Sequence, residues 1–229
     1  MKSYFYRFIR NHDDTLNPLL FFKHMKWLPL ESEPDLLNLY CCEINGGFKA
    51  QFVDVYGFEA DLLQMVPQPV KAFMFLFPVD IRDSKTIEFK GKCWFSKQTI
   101  GNACGTVAVI HALANSGMAQ HKLLEYIEST KEMTPLERGK VLEKADFIEK
   151  AHTVTAKLGS TEMDESTDLH FVTLLPINGR IVEFDGRYDY PIDHGPFTNF
   201  FEDTAKLLQG IVVKANTSKF NLMALVAGA

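Results

Sequence analysis

Between Pro69 and Pro78 lies Val70-Lys-Ala-Phe-Met-Phe-Leu-Phe77, a run in which only Lys71 is polar. Eight residues fenced by prolines are too few for a core helix, and apolar side chains occupy both odd and even positions. The run therefore predicts a central strand buried on both faces, which requires a packed layer on each side of its sheet. A second strand-like run covers Phe48 to Val55, with a short helical turn between the two from Glu59 to Met65. Residues 80–92 are polar and read as a surface loop.

Helical patterns fill the middle of the chain. Cys104 to Asn115 is rich in Ala, Val and Leu and stops before Gly117, and Lys122 to Ser129 carries Leu123, Leu124 and Ile127 at helical spacing. Thr134-Pro-Leu-Glu137 is a capping box with proline at the first helical position, and predicts a helix reaching about Ala151. Residues 152–167 show no apolar period and end acidic, so they read as a long loop. Next, Leu169 to Ile177 and Arg180 to Asp185 flank Asn178-Gly179, the strongest short hairpin signal. Thr198 to Leu208 reads as a helix and Phe220 to Val226 as a closing strand. Helices mixed with an antiparallel hairpin imply α/β or α+β with one central sheet.

Composition narrows the chemistry. The chain has 229 residues with 24 basic and 29 acidic side chains and a net charge of -5, a balance that speaks against nucleic acid as a partner, since phosphate neutralisation needs a clustered basic surface. Cys41, Cys42, Cys93 and Cys104 include no C-x-x-C pair or zinc-ligand spacing, and four cysteines are too few for a disulfide framework. The longest apolar run near the N-terminus, Leu19 to Phe22, is too short for a signal-peptide core, and no run is long enough to span a membrane. These features fit a cytoplasmic protein, with nuclear access open, and no membrane partner.

The hairpin also fixes a geometric relation. A two-residue loop at Asn178-Gly179 pairs Asp185 with Val172, so His170 lies on the same face as Asp185 and diagonal to it. Diagonal neighbours stand about 7–8 Å apart, within reach of a carboxylate and an imidazole. The spacing alone leaves two readings open: a working acid–base pair, or two polar residues that merely share a sheet surface. Cys104 opens an apolar helix between the small residues Ala103 and Gly105. A helix N-terminus favours thiolate, yet a lone cysteine can equally be a buried packing residue, the role expected of Cys41, Cys42 and Cys93. His111, seven residues past Cys104, reads as a packing histidine. His12, His24, His121 and His152 have no carboxylate at a predictable spacing, and His194 reads as a loop residue.

Three segments carry a family resemblance. Gln98-Thr-Ile-Gly-Asn-Ala-Cys-Gly-Thr106 resembles the nucleophile motif of ubiquitin carboxyl-terminal hydrolases, Asp168-Leu-His-Phe171 their histidine motif, and Glu183-Phe-Asp-Gly-Arg187 their aspartate motif. Trp27-Leu-Pro-Leu-Glu31, Gln51 to Gly57, Met65 to Val70 and Phe220 to Leu225 extend it over residues 27–229, as in the small single-domain members. The resemblance implies an α-β-α fold with a mostly antiparallel sheet flanked by helices on both sides. This is a papain-like arrangement with a knotted backbone and an active-site crossover loop at 152–167. It implies Cys104 as nucleophile, His170 as general base and acid, Asp185 as the group orienting His170, and Gln98 with the Cys104 backbone N–H as oxyanion donors.

The implied activity is cysteine-type hydrolysis at the C-terminal glycine of ubiquitin, releasing small or unfolded leaving groups without metal or cofactor. A non-catalytic ubiquitin-binding protein, or a hydrolase of a ubiquitin-like modifier, are the alternatives. Pro29, Glu162, Asp164, Glu165 and Leu169 are the implied ubiquitin contacts, the acidic ones facing ubiquitin's basic tail. An ordinary solvated loop is the other reading of those carboxylates. The protein is expected to act as a monomer. Residues 1–26, which precede the family's usual start near Trp27, form an extension of unknown role.

Overall fold

The strand bracketed by prolines becomes the middle of a six-stranded sheet. The computed structural model describes residues 27–47, 49–79, 86–159 and 168–227. In chain order these form α1 (Pro34–Asn45), β1 (Ala50–Asp54), α2 (Ala60–Gln64), β2 (Val70–Pro78), α3 (Cys104–Asn115), α4 (His121–Thr130) and α5 (Pro135–Leu142). There follow α6 (Asp146–Leu158), β3 (Leu169–Ile177), β4 (Arg180–Phe184), β5 (Ile192–Pro196), α7 (Phe200–Ala215) and β6 (Asn221–Ala227). The sheet order is β1-β6-β2-β3-β4-β5, and every neighbouring pair is antiparallel.

Each parity of β2 feeds a different core. Ala72 and Met74 join the cluster under α1, α3, α4 and α6, whereas Phe73, Phe75 and Phe77 join the cluster under α7. A register shift between Val70 and Ala72 lets Val70 share the face of Phe73 although three positions separate them. Fusing these two cores through one strand is why its sequence is apolar at almost every position. The result is a mixed α/β fold with helices on both sides of the sheet.

Both sheet edges are covered. On β1, the Asn38 side chain donates Nδ2–H to the Phe52 carbonyl at 3.0 Å and accepts the Phe52 N–H at 2.7 Å. Beside β5, the segment at residues 87–89 bonds to Pro191 and Asp193 and bridges Ile192. Such cover removes the free strand edge on which another sheet could pair.

Some elements depart from expectation. The helix opened by the Thr134 capping box ends at Leu142 rather than near Ala151, and α6 starts at Asp146 after Ala145 leaves helical geometry. The turn there lets α6 present Ile148, Ala151, His152, Thr155 and Ala156 as its buried face. That face has helical spacing, but two of its five members are polar, so residues 152–158 read as loop from hydrophobicity alone. The remaining loop residues 160–167, including Glu162, Asp164 and Glu165, lie outside the described residues, as do residues 1–26. α1 was not expected, although Leu37, Tyr40, Cys41 and Ile44 make a buried helical stripe behind a Glu33 side-chain cap and Pro34. β5 was likewise missed, so His194 stands on a strand, not in a loop.

The two-sided core predicts unequal mutational costs. Phe75→Ala should lower unfolding free energy by about 3–5 kcal/mol, because Phe75 is 2% exposed and stacked on Phe77. Thr134→Ala should cost about 1 kcal/mol through loss of the cap. Denaturant midpoints at unchanged m-value measure both.

Candidate active site

The β3–β4 hairpin delivers two of the expected residues to one another. Its register pairs Thr173 with Phe184 and Ile177 with Arg180, as the Asn178-Gly179 turn requires, with Asn178 and Gly179 both at positive φ. His170 on β3 and Asp185 just past β4 are thereby diagonal, and His170 Nε2 lies 2.7 Å from Asp185 Oδ1. Asp185 is fully buried, and Oδ1 also accepts the Arg187 backbone N–H at 2.9 Å. Because the carboxylate takes the Nε2–H, Nδ1 is the ring nitrogen left for the Cys104 thiol, to which His170 is also hydrogen-bonded.

Cys104 arrives from the other direction, at the first residue of α3 and 9% exposed. Asn102, at φ 60°, turns the chain into this helix, and its side chain donates to the Trp27 carbonyl at 3.0 Å. Glycine at position 105 allows close approach: a Cβ there would stand 3.2 Å from Leu30 Cβ and 3.3 Å from Phe171 Cδ2.

Gln98 sits on a segment, residues 94–98, that belongs to no helix or sheet. Several of its backbone groups are satisfied singly by groups from other elements. Asn115 accepts the Trp94 N–H and donates to the Trp94 carbonyl, each at 2.8 Å. His111 Nε2 accepts the Ser96 N–H at 3.0 Å, and Arg138 Nη1 donates to the Phe95 carbonyl at 2.8 Å. The Lys97 N–H reaches the Pro135 carbonyl at 2.9 Å, and the Gln98 N–H the Gly186 carbonyl at 2.7 Å. The Gln98 side chain donates one Nε2–H to the Ile100 carbonyl at 3.0 Å.

Residues 27–213 match the family described as ubiquitin carboxyl-terminal hydrolase, family 1. The chain belongs to that family. It is 39% identical to ubiquitin carboxyl-terminal hydrolase 3 of Arabidopsis thaliana, across 87% of this chain and 94% of that relative. It is 34% identical to human ubiquitin carboxyl-terminal hydrolase isozyme L1, across 80% and 90% of the two chains. Its fold is similar to the catalytic domain of Trichinella spiralis UCH37 bound to ubiquitin vinyl methyl ester, at a TM-score of 0.74 and 21% identity, covering 90% of this chain and 98% of that one.

In this family member the electrostatics oppose burial. Burial alone raises the Cys104 pKa, but hydrogen bonding and charge from His170, with the Phe171 and Gly105 backbone N–H groups, outweigh it and leave the thiol below its ordinary value. Burial likewise lowers His170, and its bonds to Asp185 and Cys104 reverse that, leaving the imidazole above its ordinary value. The two shifts favour a thiolate–imidazolium pair. The other cysteines lack this environment: burial pushes Cys41 up and Cys93 up to about 11, while Cys42 is exposed rather than packed.

Several histidines are struts. His111 is fully buried between Phe95 and Phe184, and burial drives its pKa down to about 3. His152 donates Nε2–H to the Leu28 carbonyl at 2.7 Å and accepts the Thr106 hydroxyl on Nδ1 at 2.8 Å, tying residues 27–31 to α3; burial lowers it to about 4. His194 bonds the buried Glu183 at 2.8 Å. Pro29 and Leu169 are both half-buried, Pro29 in the segment that crosses the start of α3 and Leu169 beside His170 at the start of β3. Sequence reasoning missed Arg187, whose Nη2 stands 3.4 Å from Asp185 Oδ2, although Gly-Arg directly follows the aspartate in the motif. Among the described residues no group of three His, Cys, Asp or Glu could hold a metal ion, and no helix is long and apolar enough to cross a membrane.

Two outcomes follow from the opposed shifts. Alkylation of Cys104 should proceed at neutral pH, following a titration below the ordinary thiol range. In His170→Gln only the Phe171 and Gly105 backbone N–H groups still oppose burial, so that titration should move up; peptide mapping across pH reads the shift. Asp185→Asn should reduce kcat by about 10²–10⁴ with the fold intact, as for triad aspartates generally.

Proposed function

We propose that this chain is a cysteine-type deubiquitinase hydrolysing ester, thioester, amide or peptide bonds at the C-terminal glycine of ubiquitin. The observation that carries the proposal is the buried Asp185–His170–Cys104 hydrogen-bonded chain at the start of α3, in a chain of this family. The Cys104 thiolate attacks the glycine carbonyl, and the oxygen becomes an oxyanion. The second Gln98 Nε2–H and the Cys104 backbone N–H, the latter without an intrahelical acceptor at a helix start, are the donors for that charge. Losing one such donor typically costs about 10²–10³ in kcat. The His170 imidazolium gives its proton to the leaving group as the bond breaks, leaving a Cys104 thioester. Neutral His170 then takes a proton from water, whose hydroxyl oxygen attacks the thioester. Collapse returns the thiolate and releases the ubiquitin carboxylate.

Asp185 holds the ring so that Nε2 carries a proton and Nδ1 faces sulfur, and it stabilises the imidazolium. No step needs a metal or a cofactor. The half-buried Pro29 precedes Leu30, which packs on Gly105 next to Cys104, and the half-buried Leu169 precedes His170, which supports both as contacts for the ubiquitin tail. The carboxylates of Glu162, Asp164 and Glu165 are assigned by charge to its basic residues, and residues 160–167 to the crossover loop. Residues 27–229 constitute the catalytic domain, with residues 1–26 outside it. Four unpaired cysteines suit a reducing compartment, the cytoplasm with access to the nucleus, and covered sheet edges suit a monomer.

The test is reaction with ubiquitin bearing a C-terminal electrophile, alongside a ubiquitin-like modifier bearing the same group. A single adduct mapped to Cys104, absent in Cys104→Ser, is expected from ubiquitin. An adduct at another cysteine overturns the nucleophile, and capture of only the ubiquitin-like protein overturns the substrate. A chain beginning at Met25 should retain full turnover of a fluorogenic ubiquitin substrate.

A further inference from the structure

The segment bearing Gln98 is approached by two glycines more closely than any side chain would permit. A Cβ at Gly139 on α5 would lie 2.5 Å from the Lys97 carbonyl oxygen and 2.8 Å from Thr99 Cγ2. A Cβ at Gly186 would lie 2.9 Å from the Gln98 backbone nitrogen, 3.0 Å from Gln98 Cβ and 3.0 Å from Val107 Cγ1. Neither glycine has a positive φ, so neither is needed for a left-handed turn. Gly139 lies inside a helix, where glycine is less favourable than alanine, so a packing reason must retain it. Gly139 meets the Lys97 carbonyl and Thr99, and Gly186 meets the Gln98 backbone nitrogen and Cβ, so both glycines lie against the backbone of residues 97–99.

We propose that Gly139 and Gly186 are positioning residues for the oxyanion donor: together they fix where the Gln98 amide stands relative to Cys104. The inference rests on the role of Gln98 proposed above. The nearest atom at each glycine belongs to the backbone of the segment, so an added methyl group cannot be absorbed by rotating a side chain. It must displace the segment itself. Displacements of under 1 Å at a catalytic donor are enough to lower rates by one or two orders of magnitude. Gly139 is the cleaner probe, because its three nearest atoms all belong to Lys97 and Thr99, whereas Gly186 adjoins Asp185 and touches α3 through Val107.

A double-mutant cycle decides the matter, using steady-state turnover of a ubiquitin C-terminal fluorogenic substrate by the full chain. Wild type, Gln98→Ala, Gly139→Ala and the double variant are compared. Gly139→Ala should lower kcat about tenfold with KM within twofold, and should have no further effect when Gln98 is already alanine. A Gly139→Ala effect of equal size in both backgrounds overturns the proposal while leaving the oxyanion role of Gln98 standing. Wild-type kcat in Gly139→Ala overturns it as well. Wild-type kcat in Gln98→Ala instead removes the underlying assignment, so the two failures are distinct. Should Gly139→Ala not fold by circular dichroism and thermal melting, the same cycle is run with Gly186→Ala, and the same outcomes support or overturn the proposal.

Discussion

A thiol 9% exposed should be a poor acid, and an imidazole 4% exposed should be a poor base. Desolvation penalises the charged form of each, yet thiol chemistry needs the thiolate. The site resolves this by burying the two groups against one another, so that each charge replaces the water the other has lost. Each shift leans on the other group: with His170 removed, only the Phe171 and Gly105 backbone N–H groups oppose the burial of Cys104, and with Cys104 and Asp185 removed, burial holds His170 neutral.

Asp185 extends the arrangement by one charge. It is completely buried, so it requires donors of its own, and it receives them from His170, the Arg187 backbone and, at longer range, the Arg187 guanidinium. Sulfur, imidazole, carboxylate and guanidinium thus alternate in sign along one line, with its most deeply buried member, Asp185, between the imidazole and the guanidinium. Around this line stand histidines of another kind. His111 and His152 are kept neutral by burial and use their ring nitrogens as fixed hydrogen-bonding groups, one gripping the Gln98 segment, the other the segment crossing α3. These four histidines thus divide into the partner of Cys104 and Asp185, two struts, and the Glu183 partner on β5.

Much of this was legible from residues because it rests on local rules. Two prolines and an apolar run located β2, and Asn178-Gly179 fixed a register from which the His170–Asp185 contact followed by counting. What stayed hidden depends on tertiary partners. α6 disguised itself because His152 and Thr155 are polar side chains in a buried stripe, satisfied by bonds to Leu28 and Thr106 or sealed in by packing. The segment at 94–98 has no sequence periodicity to detect, since its partners come from Asn115, His111, Arg138, Pro135 and Gly186. Gln98 itself was promoted only by resemblance. Nothing in its own neighbourhood in the chain distinguishes it from a surface glutamine.

That segment differs from a strand in what it can do wrong. A β-ladder offers the same pattern of donors and acceptors every second residue, so a strand displaced by two positions recovers most of its bonds. Residues 94–98 are matched to a carboxamide, an imidazole, a guanidinium and two carbonyls, each placed once and none repeated. A shift of even one residue would set unlike groups opposite one another and break the pattern. The segment therefore has one admissible position along its own axis, enforced like the wards of a lock, and the amide of Gln98 inherits that single position without any need for a neighbouring strand.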